Sequence, residues 1–274
     1  MRVAVKALAA VLALLFTVLP GGEPARAAEH CAAAPDDDRW FMVVKTVATD
    51  PAREAEFNDW YDRIDIPDVL EVPGYVRARR GLGQPLPGRP WADLQAIEGR
   101  YVALYDIRSA NIDATIVDMM LAAQKMVARG RSTDLLKVVG RFYYQQLGPA
   151  ADSARTPTRG GSHYLVLVTG DCCADAAATA RFDAWYRDAW VPRVTAAEGV
   201  LRATRYALHR VAMFDPLPMP PFLAVIEIEA DSADAAVRAL DADRTALAES
   251  ARRHGLVAPD QATVYLRIGD IARR

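Results

Sequence analysis

The sequence predicts an α+β protein made of two tandem ferredoxin-like βαββαβ repeats, packed sheet to sheet as a barrel within one chain. Two observations support this fold class. At an offset of 125 residues, residues 57–80 lie over residues 182–205 without a gap. In each half, apolar residues also alternate between the two-residue period of strands and the 3.6-residue period of helices. One such sheet alone would leave an apolar face bare, so two sheets in one chain are expected to cover each other.

The repeat rests on residue types that seldom coincide by chance. The matching pairs are Phe57/Phe182, Trp60/Trp185, Tyr61/Tyr186, Pro67/Pro192, Val69/Val194, Gly74/Gly199, Arg77/Arg202, Ala78/Ala203 and Arg80/Arg205. We therefore predict a first repeat over residues 40–148 and a second over residues 163–274. Residues 149–162 are polar, contain glycine and proline, and are predicted to be the linker.

The elements of the first repeat follow from local signals. Asp50 and Pro51 predict a helix start, because an acidic side chain caps the first N–H groups and proline suits the first turn. Pro67 and then the Pro-Gly pair at 73–74 end that helix. Apolar residues at helical spacing predict a second helix over 112–127. The predicted strands are 41–47, 76–80, 101–107 and 138–146.

The second repeat follows the same plan. Its predicted helices run near 175–196 and 232–254. Its predicted strands are 164–168, 201–207, 222–228 and 263–268.

The N-terminus has the pattern of an export signal. Arg2 and Lys6 precede an apolar run over residues 7–19, and a small-x-small cleavage pattern follows. Such a run is short for a membrane-spanning helix. We expect residues 1–27 to be a cleaved signal peptide and residues 28–39 an N-terminal tail. The mature protein is then periplasmic or secreted, with no stable membrane insertion; an uncleaved anchor is the alternative.

Composition excludes several classes of partner. The chain has 33 basic and 35 acidic side chains. Removing residues 1–27 takes away three basic residues and one acidic residue, which leaves 30 basic and 34 acidic side chains and a net charge of −4. That balance gives no basic face for nucleic acid. Cys31, Cys172 and Cys173 have no ligand spacing around them, so no metal is expected. Phosphate-binding glycine loops and serine-hydrolase elbows are also missing, and no cofactor is expected.

The string FNDWYDRIDIPDVLEVPGYVRARR over residues 57–80 resembles the signature of the dimeric α/β-barrel superfamily, in its EthD-like branch. The resemblance extends to both halves and implies that barrel fold, here as a tandem duplication. It also implies a choice of activities, since the superfamily includes cofactor-independent cyclases, isomerases and monooxygenases as well as haem-handling proteins. Where the family pattern has a histidine, this chain has Asp65 in the first half and Trp190 in the second.

Three residues of this motif are the candidate catalytic group. Asn58, Tyr61 and Asp65 are spaced i, i+3, i+7 and so share one face of the helix. Asp65 is the candidate base for removing a proton next to a carbonyl, and Tyr61 the candidate hydrogen-bond donor to the enolate. An exposed aspartate is a weak base, so this role requires burial. The alternative is a solvated helix flank.

Further residues are candidates for substrate binding. Arg80 and Arg205 occupy equivalent strand positions, and each could hold a carboxylate or oxyanion if that face points into the barrel. The alternative is an ion pair of these arginines with Asp106 or Glu227. The remaining candidates are aromatic or titratable, namely Trp60, Tyr101, Tyr105 and His163.

Two functional hypotheses follow. The first is an exported, cofactor-independent enzyme of lyase, isomerase or cyclase type, acting on a small hydrophobic or aromatic carbonyl compound in a barrel cavity. The alternative is a non-catalytic binding protein for an apolar small molecule or haem, favoured by the missing motif histidine. Both make a small molecule the principal partner, and both are compatible with a homodimer.

Overall fold

The computed structural model describes residues 38–86, 99–158, 160–170, 175–211, 221–241 and 261–273. The predicted signal peptide, nearly all of the predicted tail and the three cysteines lie outside these ranges. Within them, no helix is long and apolar enough to cross a membrane.

The first half contains the predicted βαββαβ order. Its strands are β1 Arg39–Ala48, β2 Tyr75–Gly83, β3 Tyr101–Arg108 and β4 Leu136–Gln146. Its helices are a short 3₁₀ turn Pro51–Arg53, α1 Glu54–Trp60, a π-helix Tyr61–Asp65, α2 Ile66–Glu71 and α3 Ile112–Ala128. The Asp50 side chain accepts a hydrogen bond from the N–H of Ala52 at 2.9 Å, which confirms the predicted helix start.

The second half repeats this order after a short strand, β5 Ala151–Asp152, which lies within the predicted linker. Its strands are β6 His163–Gly170, β7 Val200–His209, β8 Phe222–Glu229 and β9 Gln261–Ala272. Its helices are α4 Ala176–Trp185, a π-helix Tyr186–Trp190, α5 Val191–Ala196 and α6 Ala233–Asp241.

Both π-helices end directly before the helical turn that contains a proline. Pro67 and Pro192 lack an N–H and their rings crowd the carbonyl four residues earlier. The widened turn accommodates them: the N–H of Ile66 bonds to the carbonyl of Tyr61, and the N–H of Val191 to that of Tyr186. The π-helices were not predicted, and because both halves have one, neither alone marks a functional site.

The strands form one antiparallel, eight-stranded barrel. Along the sheet their order is β4-β1-β3-β2-β9-β6-β8-β7, and pairing of β4 with β7 closes it. The two seams between the halves differ in length. Seven positions of β2 pair with β9, whereas four positions of β4 pair with β7 and β5 adds two more. The predicted intramolecular barrel is therefore present.

Three hydrophobic cores hold this barrel together. Two lie between the helices and the outer sheet face of each half, and the third fills the barrel interior. The interior core takes side chains from seven of the eight strands, namely Phe41, Val43, Val102, Leu104, Phe142, Tyr144, Leu165, Leu167, Tyr206, Leu223, Val225 and Tyr265. The prediction of a ligand cavity inside the barrel is therefore wrong, because packed side chains occupy that space.

Strand ends cross from each half into the outer core of the other. Leu147 is buried in the core of the second half, and Leu86 packs against it. In the opposite direction, Val211 and Ile271 pack against the outer core of the first half. Each outer core is therefore completed by residues from the other half.

A buried arginine joins the two halves inside the barrel. The guanidinium of Arg79 donates from Nη2 to Asp106 on β3 at 2.5 Å and from Nη1 to Glu227 on β8 at 2.7 Å. It also lies over the ring of Phe41, at 5.6 Å from the ring centroid. The alternative pairing considered for Arg80 is therefore wrong, because its neighbour Arg79 takes both carboxylates.

We expect Arg79→Met to lower the free energy of unfolding by about 3 kcal/mol, because the part-buried carboxylates of Asp106 and Glu227 then lose their shared cation. Burial already raises the pKa of Asp106, while Arg79 lowers it. Removing Arg79 therefore raises that pKa further, so protonation at pH 5 should recover part of the loss seen at pH 8. Urea unfolding at both pH values measures this.

Arg77→Met is the matched control. Arg77 lies on the same face of β2 as Arg79 and pairs with Asp270 of β9, but it is part-exposed. Its loss should therefore lower the free energy of unfolding by about 1 kcal/mol or less. Equal losses for the two variants would contradict the role assigned to Arg79.

Candidate functional site

The three motif residues all face the sheet in the outer layer of the first half. Asn58 donates from Nδ2 to the hydroxyl of Tyr101 at 2.9 Å and accepts from Arg80 at 2.8 Å. Tyr61 is buried, and Asp65 is half-buried one turn further on. The structure thus brings the predicted group together, with two strand residues, and places it outside the barrel interior.

Both Nη atoms of Arg80 are hydrogen-bonded, while its buried Nε has no hydrogen-bond partner. Arg80 is 1% exposed, donates to Asp62 and Asn58 at 2.8 Å each, and lies 4.3 Å from the ring centroid of Tyr61. It therefore faces the helices and not the barrel interior. This geometry does not favour a role for Arg80 in binding substrate.

Arg205 repeats the arrangement in the second half. It donates to Asp183 at 2.6 Å and lies 4.3 Å from the ring centroid of Tyr186. Since both halves have the same arginine–tyrosine contact, it serves to fasten helix to sheet. Arg205 lies in the other outer layer and does not join the group around Asp65.

Asp65 has the electrostatic environment that a carboxylate base needs. Burial raises its pKa to about 6, and Arg141 and the hydroxyl of Tyr105 partly oppose that rise. Tyr105 donates to Oδ2 of Asp65 at a long 3.4 Å. A carboxylate with this pKa is ionised at neutral pH and is a stronger base than an exposed aspartate. Asp65 is part-buried, and its role as a base stays a prediction.

The phenols beside Asp65 stay protonated. Burial raises the pKa of Tyr61, and the negative charge of Asp65 raises it further. Burial also places the pKa of Tyr105 well above its ordinary value, with added contributions from Tyr61 and Asp65. Both hydroxyls therefore remain hydrogen-bond donors across the physiological pH range.

A second pair of phenols extends this layer. The hydroxyl of Tyr75 donates to the sulfur of Met42 at 3.6 Å and lies 3.4 Å from the hydroxyl of Tyr143. Arg141, on the same strand face as Tyr143, lowers the pKa of Tyr143 while burial raises it. Tyr75 and Arg141 were not among the sequence candidates. Comparing the two repeats position by position would have singled out Tyr75, which is a valine in the second half.

We call Asp65, Tyr61, Tyr75, Tyr105 and Tyr143 the tyrosine cluster. Its polar groups are largely missing from the second half. The equivalent positions there hold Trp190 for Asp65, Val200 for Tyr75 and Ile226 for Tyr105, with Tyr186 alone retained of these four. Trp190 is buried and packs on Tyr186 with ring centroids 4.7 Å apart. Because burying hydroxyls and carboxylates costs free energy, their concentration in one half indicates a specialised layer.

The other sequence candidates lie elsewhere. Trp60 donates from Nε1 to the carbonyl of Arg131 at 2.8 Å, which ties the motif helix to the end of α3. Tyr101 donates to Glu54 at 2.7 Å and belongs to the network of Asn58 and Arg80. His163 starts β6 in the second half, where burial and then Arg267 lower its pKa. Trp60 packs edge to face on Tyr61 with ring centroids 5.8 Å apart and so borders the tyrosine cluster, whereas His163 lies in the other half.

No cluster of histidine, cysteine or acidic side chains in the described ranges could hold a metal ion.

No protein-family model matches the chain, and no curated protein matches it. Solved structures resemble it weakly. A proposed monooxygenase of Fusobacterium nucleatum is 8% identical, with 86% of this chain and 98% of that one covered and a TM-score of 0.45. A proposed chlorite dismutase is 10% identical, with coverages of 85% and 95% and a TM-score of 0.47.

A variant of the chlorite dismutase of Candidatus Nitrospira defluvii is 12% identical, with coverages of 85% and 92% and a TM-score of 0.43. At these values the likenesses carry no inference about activity. The strand pairing of the chain itself shows a closed antiparallel barrel. No finding singles out the EthD-like branch.

We expect Asp65→Asn to be more stable than the parent at pH 7.5, by roughly 1–3 kcal/mol. The folded-state pKa of about 6 lies above the unfolded value, so ionising Asp65 costs stability as the pH rises through that window. Asparagine carries no such cost, and the advantage should therefore vanish near pH 4. Urea unfolding across pH 4–7.5 tests this, and a difference independent of pH would contradict the raised pKa. Asp118→Asn, the same substitution at an exposed carboxylate on α3, is the control.

Proposed function

We propose that the tyrosine cluster is an acid–base site for a small hydrophobic or aromatic carbonyl compound. The observation that carries this proposal is the half-buried Asp65, with its raised pKa, among protonated phenols in one half of the barrel only. The lyase, isomerase and cyclase reactions of carbonyl compounds that pass through an enolate begin with the proton transfer that such a group performs. The site lies between helices and sheet, not in the barrel interior first expected.

The chemistry follows from the positions of the groups. The carboxylate of Asp65 takes a proton from the carbon next to the substrate carbonyl, and the electron pair moves onto the carbonyl oxygen. The hydroxyl of Tyr61 donates a hydrogen bond to that oxygen as its charge develops, and the hydroxyl of Tyr105 holds the carboxylate of Asp65 in position. Asp65 then returns the proton to another carbon in an isomerisation, or to a leaving group in an elimination.

The proposal includes the origin and location of the protein. A tandem duplication within the EthD-like branch is supported by the gapless match of residues 57–80 with 182–205. Loss of the polar groups in the second half fits a duplicate that kept its packing and gave up its chemistry. Export to the periplasm or medium is supported by the pattern of residues 1–27.

A binding role without turnover is the second candidate. The aromatic side chains of the cluster suit an apolar ligand, and the motif histidine is replaced by Asp65. Haem fits this layer poorly, because His163 and His209, the histidines in the described ranges, lie outside the cluster and His209 contacts Asp113 at 2.9 Å. The binding version is therefore proposed for an apolar carbonyl compound.

The test begins with the mass and absorbance spectra of the purified protein, which identify any ligand carried through purification. With a turned-over carbonyl compound in hand, Asp65→Asn should lower kcat about 100-fold or more while leaving the fold intact. The parent kcat/KM should rise with pH through an apparent pKa near 6, since Asp65 must be ionised. Turnover by Asp65→Asn at the parent rate would show that Asp65 is not the base, whereas a bound ligand that the parent protein never converts would favour the binding role.

Trp190→Ala is the matched control at the equivalent position. It should cost about 3–5 kcal/mol of stability through the cavity it leaves, yet spare kcat. A loss of kcat equal to that of Asp65→Asn would show that stability, and not the base, is being measured.

A further inference from the structure

An open groove lies between α5 and α6 on the outside of the second half. Its volume is about 670 Å³, and alanines form much of its lining. The residues used below are Arg193, Ala196, Ala197, Ala235, Arg238 and Ala239. Both arginines are exposed, and within the described part of the chain neither has an ion-pair or hydrogen-bond partner. Glu198 also lines the groove and is exposed, so the groove combines shallow apolar space with two exposed arginines and one glutamate.

An apolar ridge lies on the outside of the first half. Val117 and Leu121 are one turn apart on α3 and are 54% and 47% exposed. Asp118 beside them and Glu71 at the end of α2 are also exposed. The ridge therefore offers two protruding apolar side chains, with the acidic Asp118 and Glu71 beside them and the basic Lys125 one turn beyond Leu121.

The groove and the ridge are built from equivalent positions of the two repeats, and their charges are complementary. Arg193 stands where the first half has Asp68, and Arg238 where it has Val117. Two acidic residues on the ridge side have alanines at the equivalent positions of the groove. Ala196 stands where the first half has Glu71, and Ala239 where it has Asp118. The same surface is thus acidic and protruding on one half, basic and recessed on the other.

We propose that a second copy of this chain docks its α3 ridge into the α5–α6 groove. Val117 and Leu121 at i and i+4 fill the space that the alanines leave, as ridges fill grooves between packed helices. Asp118 and Glu71 then face Arg193 and Arg238, and this charge complementarity sets the register of the contact.

The contact is head-to-tail. The ridge belongs to the helix layer of the first half and the groove to that of the second, so docking uses a different surface on each partner. Such a heterologous contact adds copies in a row and does not close a twofold dimer. The assembled form therefore grows with concentration beyond two copies.

The experiment is sedimentation velocity on the purified protein from about 1 to 300 μM, where weak contacts become populated. We expect the weight-average mass to rise steadily with concentration at low salt and to fall back at 0.5 M NaCl. Leu121→Asp should stay monomeric throughout. A parent protein that stays monomeric at every concentration overturns the proposal.

Charge-reversal variants give a more specific test of the contact. Arg238→Glu makes the groove acidic and Asp118→Arg makes the ridge basic, so each variant alone should be monomeric. Mixed in equal amounts, they should assemble, because each ridge then meets a groove of opposite charge. Arg187→Glu makes the same change of net charge outside the groove and should assemble like the parent. Circular dichroism checks that all variants fold, and folded single variants that assemble like the parent overturn the proposal.

Discussion

The direction of Arg79 determines much of the architecture around it. Its guanidinium has to lie inside the barrel, because Asp106 and Glu227 from the two halves meet there and need a shared cation. Successive residues of a strand point to opposite faces, so Arg80 is forced outward into the helix layer. There it lies on Tyr61 and holds Asn58 and Asp62. If β2 shifted by one residue against its neighbours, Arg79 and Arg80 would exchange faces, and the hydrogen-bond partners of both arginines would lose them.

The two outer layers show what packing requires and what it does not. The contact of arginine with tyrosine and a helix amide or acid recurs in both halves, with the same 4.3 Å separation from ring to guanidinium. The phenols and carboxylate of the tyrosine cluster do not recur, and Trp190 fills the equivalent space. A stable layer can therefore be built without them, which makes their free-energy cost in the first half hard to explain by folding alone.

Much of the fold could be predicted because it is encoded by periodicity and repetition. The eight principal strands and the helix starts follow from residues such as Asp50 and Pro51, whose local effects are strong. The π-helices could not be predicted, since the widened turn depends on how Pro67 is accommodated in three dimensions. Nor could the sequence decide between Arg79 and Arg80, because a register difference of one residue exchanges their faces. The sequence hypothesis required Asp65 to be buried but could not show that it is. Tyr75 joins the tyrosine cluster through contacts with residues on strands that lie far away in the sequence.

The crossing of strand ends has a consequence for how the chain can be divided. Leu147 completes the outer core of the second half, while Val211 and Ile271 help to complete that of the first. A fragment ending in the exposed segment 153–158 would lack part of its own core and would expose both barrel seams. The two fragments are thus obligate complements, which recover the barrel only when present together. This interdependence suits the chain to a split reporter, in which reassembly of two inactive pieces registers their proximity.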